Sequence, residues 1–274
     1  MAEPTLIAQI SDPHIRVGPR DREPAQALAA AVRALRSQPN RLTAVLVTGD
    51  LVDQPGAREY ERVRELLEPL GLPIYVLAGN HDDRDAVREY FALDISTGRA
   101  GEPFRYAVRL GGVRLIACDT TVPGRMEGRL DLEHRAWLEA QLAAEPALPA
   151  LVAMHHPPIS TGIRAMDEIG LPPQDRAGLE ELLPRYPQAR RIVCGHAHRG
   201  AFGVLGGCGV VICPSTWRQL ALEIPGDEIE VAEREPAWAL HALVEGGLVS
   251  HLVPIYEGAE GRLTVPRPGS RARG

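Results

Sequence analysis

Short continuous apolar runs alternate with amphipathic stretches over the first two-thirds of the chain. Residues 5–10, 44–48 and 74–78 are compact apolar blocks of the length expected for buried strands. Between them, residues 24–36 carry apolar positions at helical spacing. Residues 56–67 form a charged amphipathic pattern stopped by Pro69 and Gly71, and residues 84–90 predict a third helix. Residues 105–110 and 113–118 flank Gly111 and Gly112, a hairpin signal. Asp131 is placed to cap a helix running to Ala143. Strand patterns then recur at 150–154, 191–194, 201–205, 209–213, 238–244 and 248–253, the last two separated by Glu245-Gly246-Gly247. Strand–helix alternation followed by a β-rich second half predicts an α/β fold, a four-layer α-β-β-α sandwich of two mixed sheets. Pro172-Pro173 and residues 224–236 read as loops rather than linkers, because strand patterns resume after them. One domain is therefore expected over residues 1–256. A Gly-, Pro- and Arg-rich tail, 257–274, is expected to fray or to drape on a neighbour.

Composition narrows the chemistry. The 274 residues are 45% hydrophobic and 24% charged, an ordinary globular balance that excludes a disordered or collagen-like chain. The net charge of -6 gives no global attraction to long nucleic acid or an anionic membrane. All 30 basic residues are arginine, so Schiff-base and P-loop lysine chemistry are absent. No apolar run approaches the ~18 residues of a transmembrane helix, and the opening MAEPTLIAQISD lacks signal-peptide character. Cys118, Cys194, Cys208 and Cys213 lie in apolar stretches without C-x-x-C spacing. They read as reduced core thiols of a cytoplasmic protein, with Cys194, beside Gly195 and His196, the one that could touch a site.

Hard-ligand residues follow the strands, one cluster after another. Asp12 and His14 stand in SDPH, Asp50 in TGDLVD, Asn80 and His81 in GNHDD, His155 and His156 in MHHPP, and His196 and His198 in GHAH. The carboxyl ends of strands in an α/β sheet converge on one crevice, so these distant residues can share a site. Oxygen and imidazole donors without thiolates suit a catalytic transition-metal centre better than a closed structural zinc site. A lone Asp after a strand is usually a helix cap and a lone His a satisfied surface or core residue. Five such motifs in order exceed coincidence. Seven candidate ligands outnumber what one tetrahedral ion needs, whereas two ions sharing a carboxylate use all seven. The i, i+2 pairs Asp12/His14 and His196/His198 require a turn if both members are to face one ion. On donor geometry alone, His155 and His156 remain equivalent candidates.

The motif order D-x-H, G-D-x-x-D, G-N-H-D, H-H-P-P, G-H-x-H resembles the calcineurin-like binuclear metallophosphoesterase superfamily over residues 5–216. Its details are similar to the class III cyclic-nucleotide phosphodiesterases and the glycerophosphodiester phosphodiesterases. The resemblance implies two metal ions per chain, of Mn, Fe, Zn or Co. Asp12, His14, His198 and Asp50 would hold the first. Asn80, His155, His196 and the bridging Asp50 would hold the second. It selects His155 over His156 as a ligand, leaving His156 a substrate-facing candidate. It also implies that His81 meets the phosphate and serves the leaving oxygen, with Asp53 paired to it. Asn80 and His81 would contact substrate, and Arg218 in PSTWRQ is the best-placed arginine for a further phosphate contact.

The function so implied is hydrolysis of a small phosphodiester, cyclic nucleotide or glycerophosphodiester, by a hydroxide shared between two ions. A phosphomonoesterase or nuclease of the same superfamily is the alternative, and a non-catalytic scaffold should have lost one of these residues. TGDLVDQP and GNHD disfavour the Ser/Thr phosphatase pattern, and pI 5.9 disfavours long DNA. The expected partners are a small diester substrate, no membrane, and a second copy of the chain in a homodimer or higher assembly.

Overall fold

The computed structural model describes residues 4–18, 22–91, 95–245 and 247–255. The expected tail at 257–274 lies outside the described residues. The first half runs β1 (Leu6–Ile10), α1 (Arg22–Ser37), β2 (Ala44–Thr48), α2 (Ala57–Leu67), β3 (Ile74–Leu77), α3 (Arg84–Tyr90), β4 (Tyr106–Leu110) and β5 (Val113–Cys118). The second half runs α4 (Leu132–Ala144), β6 (Ala150–Met154), α5 (Arg164–Glu168), α6 (Pro173–Leu182), β7 (Ala189–Cys194), β8 (Ala201–Leu205) and β9 (Cys208–Ile212). It closes with β10 (Gln219–Leu220), β11 (Val231–Ala232), β12 (Ala237–Val244) and β13 (Gly247–Pro254).

Two mixed sheets stack face to face. The first has the order β13-β12-β1-β2-β3, parallel across β1, β2 and β3 and antiparallel across β12 and β13. The second has the order β4-β5-β6-β7-β9-β8, with a parallel centre and antiparallel edges. Helices α1, α2 and α3 share one apolar core with the first sheet, and that core continues through to Leu151, Ala153, Val193 and Val211 of the second sheet. Leu138 and Leu142 of α4 and Leu179 and Leu182 of α6 cover the second sheet's other face. Covering on both faces is why β1, β2 and β6 are buried at every residue and apolar apart from Gln9 and Thr48. No helix among the described residues is long and apolar enough to cross a membrane.

Local signals account for most boundaries. Asp83 accepts hydrogen bonds from the main-chain N–H of Asp85 and Ala86, and Asp131 from those of Glu133 and His134, so each satisfies donors of a first helical turn. Two stretches expected as loops carry short elements. Pro173 opens α6, where its missing N–H costs nothing in a first turn. Residues 224–236 contain β11, which pairs with β10. Helix α5, at five residues, is too short to show a helical period.

The two sheets are also tied at one edge. The Tyr106 hydroxyl on β4 donates to the carbonyl of Val76 on the edge strand β3, at 2.8 Å, with the ring fully buried. Tyr106→Phe should lower stability by about 1–2 kcal/mol by stranding that carbonyl. Denaturant unfolding measures the change, and an unaltered midpoint would remove this bond from the account.

Candidate metal centre

Each motif sits where a parallel strand ends. β1 leads into Asp12 and His14, β2 into Asp50, β3 into Asn80 and His81, β6 into His155 and His156, and β7 into His196 and His198. The first sheet therefore contributes two carboxylates, an amide and two imidazoles, and the second sheet contributes four imidazoles.

The turn that the i, i+2 pairs require is made by the backbone. Asp12 (φ 51°), His14 (φ 45°), Asp50 (φ 48°), His196 (φ 67°) and His198 (φ 47°) are the non-glycine residues with positive φ among those described. Left-handed backbone costs an L-residue about 1–2 kcal/mol, tolerated best by short polar side chains. Here neighbouring loops hold it in place. His14 N donates to Asp50 O (3.0 Å) and Asp53 N to Ile15 O (3.1 Å), zipping the loops after β1 and β2. Gly195 N donates to His155 O (3.1 Å), and the Ser215 hydroxyl to Asp12 O (2.7 Å). The glycine ahead of a ligand allows this close approach. A Cβ on Gly79 would lie 2.1 Å from Asp50 Oδ1, and one on Gly195 would lie 2.0 Å from Ser11 Oγ.

Asp12, His14, Asp50 and His198 bring one donor atom each within 4.8 Å of one another. His14 Nε2 and His198 Nε2 are 2.9 Å apart, and Asp50 Oδ2 is 3.5 Å from His14 Nε2. His198 Nδ1 donates to the Arg218 carbonyl at 3.2 Å, and His14 Nδ1 faces the Asp53 carboxylate at 3.7 Å. With their protons on Nδ1, both rings turn Nε2 lone pairs toward each other and toward two carboxylates. Four converging acceptors fit a cation.

A second set adjoins the first through Asp50. His155 Nε2 is 3.4 Å from Asp50 Oδ2 and 3.0 Å from Asn80 Oδ1, while His155 Nδ1 donates to Thr48 O at 2.8 Å. His196 packs its ring 5.1 Å from that of His155, and its buried Nε2 has no hydrogen-bond partner. An orphaned imidazole nitrogen at this depth is what a metal ligand looks like before its ion is considered. His156 differs. Its Nε2 donates to Met126 O (3.0 Å) and its Nδ1 accepts from the Thr120 hydroxyl (2.8 Å), so neither nitrogen is free.

Charge follows this geometry. Burial opposes a proton on His155, but Asp50 and Asp12 outweigh it and push the imidazole up to about 9. Asp50, buried yet flanked by His155 and His14, is held well below the usual carboxylate range. Burial, reinforced by neighbouring imidazoles, lowers His196 strongly and brings His156 down to about 3.

The remaining candidates divide. His81 N donates to Asp50 Oδ1 (2.9 Å), and its Nδ1 donates to Asp53 O (2.9 Å). The expected Asp53–His81 pairing thus runs through the Asp53 main chain. The Asp53 carboxylate turns instead to His14 and to Arg16, 3.0 Å away, and is lowered to about 2. Arg218 orients His198 through its carbonyl, while its guanidinium lies over the Trp217 ring at 4.2 Å. None of the candidate metal-holding groups among the described residues includes a cysteine, Cys194 among them.

Sequence reasoning passed over several supporting residues. The half-buried Asp82 carboxylate accepts from Gly79 N, Leu51 N, Val52 N and the Tyr60 hydroxyl, and so shapes both the Asp50 and the Asn80 loops. Burial, with Asp50 nearby, pushes that carboxyl up to about 7. The doubled aspartate in GNHDD was its signal. Met126, whose sulfur meets Asn80 Nδ2 at 3.5 Å, gave none.

Known proteins are similar to this chain in sequence and in fold. Residues 5–200 match the calcineurin-like phosphoesterase family. The chain is 34% identical over 247 residues to a probable cyclic nucleotide phosphodiesterase of Synechococcus sp., covering 80% of this chain and 88% of that one. It is 34% identical over 223 residues to a glycerophosphodiester phosphodiesterase of Enterobacter lignolyticus, covering 78% of each. A dimetal phosphatase of Danio rerio shares the fold, with a TM-score of 0.66 at 17% identity over 93% of this chain and all of that one.

The two adjacent histidines separate in a direct test. Elemental analysis of purified protein should show His155→Ala losing about half of the bound metal and His156→Gln keeping it. The reverse pattern would reassign the ligand.

Proposed function

The chain belongs to the calcineurin-like phosphoesterase family, and we propose that it hydrolyses small phosphodiesters, a cyclic nucleotide or a glycerophosphodiester, at a two-ion centre. The observation that carries this reading is the convergence of the His14 and His198 Nε2 atoms on Asp12 and Asp50, with His155, Asn80 and His196 behind the same Asp50. Asp12, His14, His198 and Asp50 would hold one ion, and Asn80, His155, His196 and Asp50 the other. Carboxylate, amide and imidazole donors suit Mn, Fe, Zn or Co. When bound, such ions neutralise the phosphate and acidify a water to a nucleophile at neutral pH.

The chain's own groups supply the rest. Asp50 is fixed by the His81 N–H, so the shared carboxylate cannot rotate away from either set. The Asp53 carbonyl holds His81 at Nδ1 and so directs Nε2 outward. As the imidazolium, His81 would carry a second proton on Nε2 and pass it to the departing alkoxide as the phosphorus–oxygen bond breaks, ending neutral with its Nδ1 proton still on the Asp53 carbonyl. Four buried free thiols support a reducing, cytoplasmic setting. Phe202 and Val204, exposed on the edge strand β8, support pairing with a second copy. A single catalytic domain over residues 1–256 completes the proposal.

One observation weighs on the substrate. An indole beside a diester site would attract a choline or ammonium headgroup, but the Arg16 and Arg218 guanidinium carbons already lie 5.2 and 4.2 Å from the Trp217 ring centre. Displacing either cation costs about 0.5–1 kcal/mol, a factor of roughly 2–5 in rate. This favours neutral ester arms, as in a cyclic nucleotide.

Two measurements follow. His81→Ala should keep both metals yet lose about 100-fold in kcat toward an alkoxide-leaving diester such as cyclic AMP, and under about 10-fold toward bis(4-nitrophenyl) phosphate. Equal losses would remove the acid role. Separately, 4-nitrophenyl phosphorylcholine should be cleaved about threefold more slowly than its uncharged 3,3-dimethylbutyl isostere, and Arg218→Gln should close that gap. A wild-type preference for the choline ester would refute the Trp217 argument.

A further inference from the structure

The strand β1 reads LIAQI, and its one polar residue, Gln9, is fully buried between the sheets. A buried amide is costly unless its donors and acceptor are met. Here they are. Gln9 Nε2 donates to the Thr48 hydroxyl at the end of β2 (2.9 Å) and to the Cys194 carbonyl at the end of β7 (2.9 Å). Gln9 Oε1 faces Nε2 of the buried His241 on β12, also at 2.9 Å. The amide oxygen can only accept, so His241 carries its proton on Nε2 and accepts from the Ser250 hydroxyl at Nδ1 (2.8 Å). Burial, with Arg191 nearby, brings His241 down to about 3 and keeps it neutral. Every role in the chain Ser250–His241–Gln9–Thr48/Cys194 is thereby determined.

The ends of this chain lie directly beneath the ligand loops. Thr48 precedes Gly49 and Asp50, and its own carbonyl accepts from His155 Nδ1 at 2.8 Å. Its hydroxyl also donates to the Ser11 hydroxyl (2.7 Å), one residue before Asp12. Cys194 precedes Gly195, His196, Ala197 and His198. The apolar contacts that make up most of the seam between the sheets have no direction and tolerate small sliding. Hydrogen bonds to fixed main-chain and hydroxyl partners do not.

We propose that Gln9 is a positioning residue of the metal centre, holding the ligands of one sheet in register with those of the other. It touches neither ion nor substrate and acts through Thr48 and Cys194. Its removal strands only the Nε2–H of His241, and moving that proton to Nδ1, where the Ser250 oxygen can accept it, relieves the loss. Without Gln9, the Thr48 hydroxyl keeps Ser11, and the Cys194 carbonyl keeps its bond from Cys213 N (2.9 Å). An apolar residue of the same length therefore fits the gap but loses the register.

This inference rests on the metal assignment above, and the test keeps the two apart. Full-length protein is titrated with Zn²⁺ or Mn²⁺ against a chromogenic chelator, beside thermal unfolding of the metal-free form. Wild type should bind two ions; failure to do so would overturn the assignment itself. Gln9→Met should remain folded and bind with about 10–100-fold weaker affinity, the range found when partners behind metal ligands are removed. Thr48→Val cuts the same link from its other end and should also weaken binding, Thr48→Ser should restore it, and the Gln9→Met/Thr48→Val pair should fall short of the summed losses. Unchanged affinity in the folded single variants, or strictly additive losses, would overturn the positioning role.

Discussion

Four acceptor atoms that converge on one point repel one another unless a proton or a cation lies between them, and this chain is built around such a cluster. The His14 and His198 nitrogens stand 2.9 Å apart with Asp12 and Asp50 alongside. A site of this kind cannot assemble itself from its own contacts, so the surrounding structure must impose it. The cost shows in the backbone, where five of the candidate ligands take left-handed conformations. What holds them is the zipper between the loops after β1 and β2, the Ser215 bond to Asp12, and the Asp82 carboxylate gathering three main-chain donors. Function sets the fold's local strain here, and the buried sheet ends absorb it.

The electrostatic record has the same origin. Imidazoles beside the carboxylates, His155 and His14, are raised, because the negative charge of Asp50 and its neighbours outweighs burial. Those one layer back, His156 and His196, are lowered, because burial acts on them with little compensation. The second sheet holds both behaviours, and burial also lowers His198 in spite of Asp12 beside it, while the raised pair, His155 and His14, faces across the seam where the two sheets meet. That seam is where two ions would share Asp50, so a single carboxylate organises both halves.

Much of this was legible in the residue order. Apolar blocks located the central strands to within a residue or two, since strands buried on both faces leave an uninterrupted signature. The ligand clusters were visible because chemistry confines them to strand ends. Short elements escaped: α5 and the β10–β11 ribbon are shorter than any period they could display. Partners that act through main-chain atoms escaped too. The Asp53 carbonyl, the Thr48 carbonyl and the Arg218 carbonyl each orient a histidine, and a carbonyl is the same atom whatever residue bears it.

That last point bears on the proton donor. Were the Asp53 carboxylate set against His81, a full negative charge would stand behind the ring and favour keeping its proton. The structure spends that charge elsewhere, on Arg16 and His14, and gives His81 a neutral carbonyl. The ring's hydrogen bond goes to a neutral carbonyl although the same residue's carboxylate stays within 4.8 Å, and that carboxylate steadies His14 as well. Asp53 thus serves both neighbours at once, with its side chain for His14 and its main chain for His81. Replacing its carboxylate would therefore loosen the first ion's cage before it disturbed the proton transfer, the reverse of what a His–Asp pair at the leaving group would do.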